Sequence, residues 1–287
     1  MDTRFTAWLN LRVAFWGQSN MTDTTAVPRR FEIGRVISGT FSVIGRNFGP
    51  FALLALILGG LPNLLVSLAQ ISFISDQQTF SPQAMIGFFL GLVVMLVAAF
   101  VLQAAIVHAT VADLNGRRVV VGESLKVGLR NWLPLFGLAI LMGLGLMIGF
   151  VLLIVPGIIL AVMWSVAVPA KVVEKIGVME AFQRSRDLTR GRRWAIFGLI
   201  VIYVIAVWIV EAAIMAAFMP FVLSKGLQPG AAAAGFSHSI NIVTLVASPL
   251  IATLSTLVST AGGATLYSEL RGTREGVGPE ALASVFD

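Results

Sequence analysis

The chain has no cysteine among its 287 residues and only two histidines, His108 and His238. Disulfides, thiolate catalysis and cysteine-held metals are therefore excluded. The histidines fall near opposite ends of apolar runs, so they cannot share a metal. Charge is also scarce. Asp, Glu, Lys and Arg make up 12% of the chain, less than half of the ~25% usual in soluble domains. Lysine is rare, with four against sixteen arginines. No P-loop or metalloprotease motif occurs, and no Ser-His-Asp set assembles on one side. No catalytic residue, cofactor or metal ligand is expected from these absences.

What remains is apolar. Hydrophobic residues make up 57% and the mean hydropathy is +0.90. One soluble core cannot bury such an excess, so much of the surface must face lipid. A spanning helix needs about 20 apolar residues. Runs of that kind are expected at 51–74, 84–111, 132–153, 156–172, 194–223 and 239–266. The third and fourth come from one stretch without formal charge, folded back at "VPG", 155–157, because proline disfavours helix before it and glycine tolerates a turn. The expected fold is all-α: a membrane bundle of six transmembrane helices over 31–270, with a flexible segment 1–30 before it and a mobile cytoplasmic tail, 271–287, after it. Met21 reads as an alternative start, which would make residues 1–20 an extension.

Basic residues test this arrangement. In the six-helix reading nineteen of the twenty fall on one side, and only Lys225 falls on the other. Five or seven helices would spoil the partition. The excess of Lys and Arg in cytoplasmic loops then places both termini in the cytoplasm, and the expected location is a bacterial inner membrane.

Three short stretches repeat a pattern. Ile33, Val36, Ile37, Thr40, Phe41 and Ile44 form a helical apolar stripe. Val121, Ser124, Leu125, Gly128, Leu129 and Trp132 form a softer one. Val178, Ala181, Phe182, Ser185, Arg186 and Thr189 form a third, violated at Arg186. Each precedes a basic residue and an aromatic that open an apolar run: "RNF" at 46–48, "RNW" at 130–132 and "RRW" at 192–194. The chain thus reads as three copies of amphipathic helix, span and span. The stripes are expected to enter the headgroup boundary, with Arg184, Arg186, Arg190, Arg192 and Arg193 as lipid-surface residues meeting anionic headgroups. Glu180 and Arg184, spaced i, i+4, are expected to pair. The acidic Glu174, Glu180 and Asp187 dilute the basic face, so nucleic acid is not an expected partner.

The stretch "VPGIILAVMWSVAVPAKVVEKIGVMEAFQRSRDLTRGRRWAIFG" resembles the glycerophosphoryl diester phosphodiesterase membrane domain family and related uncharacterised bacterial membrane proteins. Pro156, Gly157, Trp164, Pro169, Glu174, Glu180, Ala181, Arg184, Ser185, Leu188, Thr189 and Gly191 carry the likeness. "LYSELRGTREG", 266–276, is similar to that family's C-terminal signature. The resemblance implies the membrane module and not the reaction, since no segment is long enough to hold the family's soluble catalytic domain.

One intramembrane polar site is a candidate. Glu211 lies within the fifth run, and carboxylates in spans are functional candidates by default. In the sixth run Ser255, Thr256 and Ser259 lie on small-residue ridges, which mark close helix contact or a polar cavity. Gly145 and Gly149, four apart, mark close packing inside the third run. The expected function is that of a non-enzymatic envelope or lipid-associated accessory or scaffold module. The alternative is a transporter or permease for a small or lipid-like solute.

Overall fold

The computed structural model describes the backbone of residues 31–62, 66, 82–226 and 232–275, and side chains chiefly over 31–62, 86–213 and 251–275. The chain divides into a unit of Phe31–Arg271 and a second of Met1–Arg30 with Gly272–Asp287. Segment 1–30 and the question of Met21 lie outside the described residues, as does most of the expected tail.

Among the described residues there are helices and no strands. They are α1 Ile33–Arg46, α2 Phe48–Ala55 with a π-helical turn Leu56–Gly60, α3 Pro82–Leu114, α4 Val121–Leu152, α5 Ile154–Met163, α6 Ala167–Glu174, α7 Val178–Thr189, α8 Arg193–Gly226 and α9 Ala232–Glu275. Four segments are long and apolar enough to cross a membrane: Phe89–Leu114, Val121–Leu152, Ile154–Glu174 and Arg193–Ala213. A fifth is available if α1 and α2, bent by 84° at their junction, count as one. The count is thus four or five among the described residues, against the six expected. Most of the first run beyond position 62, and the side chains of the sixth before 251, lie outside them.

The surfaces of these helices carry large apolar side chains. Val151 is 80% exposed and Trp208 71%. Phe48 and Trp194, the aromatics of "RNF" and "RRW", are exposed at the starts of α2 and α8. Water does not favour so broad an apolar surface, whereas lipid does, and aromatics at helix starts are the usual interfacial anchors.

The three amphipathic stretches end differently. α1 bends at Asn47. α7 ends at Arg190 and Gly191, the latter at φ +84°, a left-handed conformation that glycine adopts without a Cβ clash. The middle stretch does not stop at "RNW": it continues as the single helix α4, which has no glycine there and tolerates Pro134 inside it. The fold-back is also shifted from the expected "VPG". It occurs at Leu153, which is extended at φ −164°, and Pro156 lies in the first turn of α5, where its missing N–H costs nothing. Gly157 serves packing instead, since a Cβ there would lie 2.6 Å from the Phe150 ring.

The stripes face protein. In α1 Val36, Thr40 and Val43 are buried, whereas Phe41 is 60% exposed and falls off the expected stripe. Val36 packs with Val166, Leu266, Tyr267 and Leu270. In α4 Ser124 and Gly128 are buried, and in α7 Ala181, Ser185, Leu188 and Thr189 are. Leu188 completes the α7 stripe and Arg186 points away from it, which removes the expected violation. The buried positions of the stripes therefore face other helices. Their small residues allow a helix to approach another helix closely, which buries more surface than lying on lipid.

The core is drawn from many helices. Phe51, Leu54, Leu102, Ile106 and Leu257 form one cluster, and Leu188, Ile196, Tyr267 and Leu270 belong to another. The C-terminal half of α9 contributes to three clusters, through Leu257, Ala261, Ala264, Leu266 and Tyr267. Its helix runs to Glu275, past the expected start of the tail at 271.

Candidate functional site

The charged side chains that the fold gathers lie where α3, α6 and α9 reach their C-terminal ends. Three carboxylates there are each held by an arginine. Asp113, at the end of α3, accepts from Arg46 Nη2 at 2.6 Å and from Asn47 Nδ2 at 2.7 Å. This locks the bend between α1 and α2 onto α3. Glu174, the last residue of α6, takes Arg184 Nε on both oxygens, at 2.8 and 2.9 Å. Its Oε1 also accepts from the Tyr267 hydroxyl at 2.7 Å. Glu269, on α9, accepts from Arg35 of α1 at 3.0 Å. The three carboxylates are mostly shielded, and hydrogen bonds to charged groups are the stronger ones.

The α7 helix is seated by hydroxyls. Ser185 Oγ donates to Met163 O at 2.8 Å and accepts from Val166 N at 3.3 Å. These groups border the irregular turn between α5 and α6, so Ser185 satisfies backbone groups that neither helix pairs. Thr189 Oγ1 donates to Ser185 O at 2.9 Å. Trp164, in that turn, packs against Phe182 with ring centroids 4.8 Å apart. Glu180 Oε2 accepts from Gly177 N at 2.8 Å, half of a capping box, since glycine offers no side chain in return.

The expected lipid-surface arginines separate accordingly. Arg184 is turned inward onto Glu174. Arg186 and Arg190 are exposed. Arg192 lies over the Phe31 ring at 5.9 Å. Arg193 is half-buried, with Nε lacking a hydrogen-bond partner among the described residues.

The expected intramembrane polar site is more dispersed. Glu211 is exposed on α8 and makes no hydrogen bond or ion pair among the described residues. Thr256 donates to Ala252 O and Ser259 to Thr256 O, both within α9. The backbone oxygen of Ser255 accepts from Tyr203 at 3.0 Å and so joins α9 to α8. No contact brings Glu211 to these hydroxyls among the described residues. No group of three or more His, Asp or Glu there stands close enough to hold a metal.

Burial pushes the ionisation of Tyr267 above its ordinary range, and the Glu174 carboxylate beside it adds to the effect. This tyrosine and the Asp113 and Glu269 pairs lie just outside the apolar runs, where a polar group is not marked by an insertion cost. One signal was available. Asp113, Glu174 and Glu269 each stand three residues before a glycine, at Gly116, Gly177 and Gly272.

Fold and site thus define a helical protein with several membrane-length apolar helices and a set of clamped carboxylates at one end of them. Residues 142–270 match a domain of unknown function, DUF7847, over somewhat less than half of the chain. No curated protein matches the chain. No solved structure matches it.

Proposed function

We propose that the chain is a multi-pass protein of the bacterial inner membrane, with both termini cytoplasmic, that serves as a lipid-associated accessory or scaffold module without catalysis of its own. The observation that carries this reading is the use made of charge. Arg35, Arg46 and Arg184 are committed to Glu269, Asp113 and Glu174, so the shielded polar groups at this end hold helices together. Arg186 and Arg190 are exposed, and anionic headgroups attract juxtamembrane cations by about 1 kcal/mol each.

The six-span topology and the threefold helix–span–span repeat belong to the same reading. Counting from Ile33, Val121 and Val178, residues three and seven further on are buried in every copy: Val36 and Thr40, Ser124 and Gly128, Ala181 and Ser185. Each copy docks against a helix that ends at one of the glycine-spaced carboxylates. The likeness to the membrane module of the glycerophosphoryl diester phosphodiesterase family fits this reading, because that module is a bundle without the soluble reaction domain.

The test is extraction of the full chain in mild detergent, followed by identification of lipids and proteins that copurify. Enrichment of anionic over neutral lipid relative to the bulk membrane is expected, lessened in an Arg186→Gln, Arg190→Gln variant. Lipid in bulk proportions with no protein partner would sink the reading.

A further inference from the structure

Between the end of α3, the first turns of α4 and the end of α6 lies a cavity of about 600 Å³. Its charged lining is one-sided: Arg117, Arg118, Arg130, Lys171 and Lys175 against the single carboxylate of Glu123. None of these five cations belongs to the clamps on Asp113, Glu174 and Glu269. Among the described residues the side chains of Arg117, Arg118, Arg130 and Lys175 make no hydrogen bond or ion pair. Lys171 is buried, and its ammonium donates to Ile176 O, leaving two further donors. We infer that this cavity binds a phosphate-bearing ligand, either the headgroup of an anionic lipid or a soluble phosphorylated molecule.

Four observations converge on this. First, like charges facing one concavity repel, and a bound anion removes that cost. Elsewhere at this end the protein supplies its own carboxylates, and here it supplies one for five cations. Second, arginine forks and lysine ammonium groups are the side chains suited to phosphate oxygens. Third, the volume falls within the roughly 300–1,000 Å³ of small-molecule sites, and it exceeds what a bare phosphate needs. Val111, Val127 and Val172 line the same space and offer an apolar wall to a glycerol or acyl portion. Fourth, Lys175 is in the left-handed region at φ 54°, the one such non-glycine residue among those described. A lysine there is strained where glycine would not be, and strain of this kind gathers at functional sites.

The lipid source rests on the membrane placement above, and the soluble source does not. Both are tested on the full chain. In detergent, inorganic phosphate and a soluble phosphate diester are titrated while thermal unfolding is followed. In nanodiscs, retention of phosphatidylglycerol over phosphatidylcholine is measured by mass spectrometry. Arg118→Gln and Arg130→Gln remove cavity cations. Lys126→Gln removes an exposed cation of α4 that does not line the cavity. Loss of one charge-assisted contact predicts binding weakened about tenfold for each cavity variant and unchanged for Lys126→Gln. Lys175→Gly is the variant that separates roles: it is expected to raise the unfolding temperature while weakening the anion. A soluble anion that binds assigns a soluble ligand. Selective retention of phosphatidylglycerol with no soluble binding assigns a headgroup. The inference is overturned if neither probe binds, or if Lys126→Gln weakens binding as much as Arg130→Gln. Anionic lipid that copurifies equally with wild type and cavity variants, with no soluble anion bound, overturns it too, while leaving the lipid-associated role standing.

Discussion

Tyr267 and Arg184 meet on one carboxylate: both donate to Oε1 of Glu174, the tyrosine from 93 positions away in the chain. The contact ties α9 to α6 and α7 through a side chain that is mostly shielded from solvent. Removing the cation leaves a shielded carboxylate unpaired, which costs about 2–4 kcal/mol. Arg184→Gln is therefore expected to lower the unfolding temperature strongly, and Tyr267→Phe to cost about 1–2 kcal/mol. Because the partners share an oxygen, the double variant should cost less than the two single losses combined. Strict additivity in thermal unfolding would show that the two do not act through one acceptor.

The same tyrosine sets an alkaline limit. Its ionisation lies above the ordinary value in the folded protein, through burial first and Glu174 second. In the unfolded chain it ionises near about 10. Above that pH the unfolded state holds fewer protons than the folded one, so stability falls as pH rises. Below it the group adds no pH dependence. Tyr267→Phe should flatten this alkaline fall relative to wild type, as measured by denaturation at a series of pH values. Parallel curves for the two proteins would refute the assignment.

Gly128 provides a steric test. A Cβ on it would lie 2.5 Å from the carbonyl oxygen of Val101, a backbone atom that cannot rotate aside. Gly122, on the same helix, has open space around it. Gly128→Ala should force α4 from α3 and cost about 1–3 kcal/mol, the range of overpacked cores. Gly122→Ala should be neutral or slightly stabilising, because alanine favours helix. Equal effects in thermal unfolding would mean that the close approach is not required.

Apolar periodicity made the helical architecture legible because spans and stripes are local properties of sequence. The stripe at Val36 and Thr40 was found on spacing alone, although Val43, not Phe41, completes it. What the stripes face was not legible. Spacing marks a buried side and cannot tell lipid from protein, and the small size of Ala181, Ser185 and Gly128 was the missed indication of a helix neighbour. The break falls at Leu153 and not at "VPG" because proline is at ease in the first turn of a helix. Pairings such as Arg35 with Glu269, 234 positions apart, arise only when the chain closes on itself. The candidate Glu211 came from an insertion-cost argument, which identifies an expensive residue without saying whether anything approaches it.

Reporter fusions test the membrane arrangement directly. Nineteen of the twenty lysines and arginines fall on one side of the six-span reading. Charge near span ends sets orientation, since basic loops resist translocation. An alkaline phosphatase or fluorescent reporter placed after Asp287 should then report the cytoplasm, and one inserted within 228–235 the opposite compartment. Moving the bias is a stricter version of the experiment. Replacing Arg117, Arg118 and Arg130 with glutamine, and adding lysines within 228–235, should produce a mixed population in which some chains present that loop to the cytoplasm. If both reporters give the same compartment in the wild-type chain, the even number of crossings is wrong, and the partition of charge that supports it is coincidence.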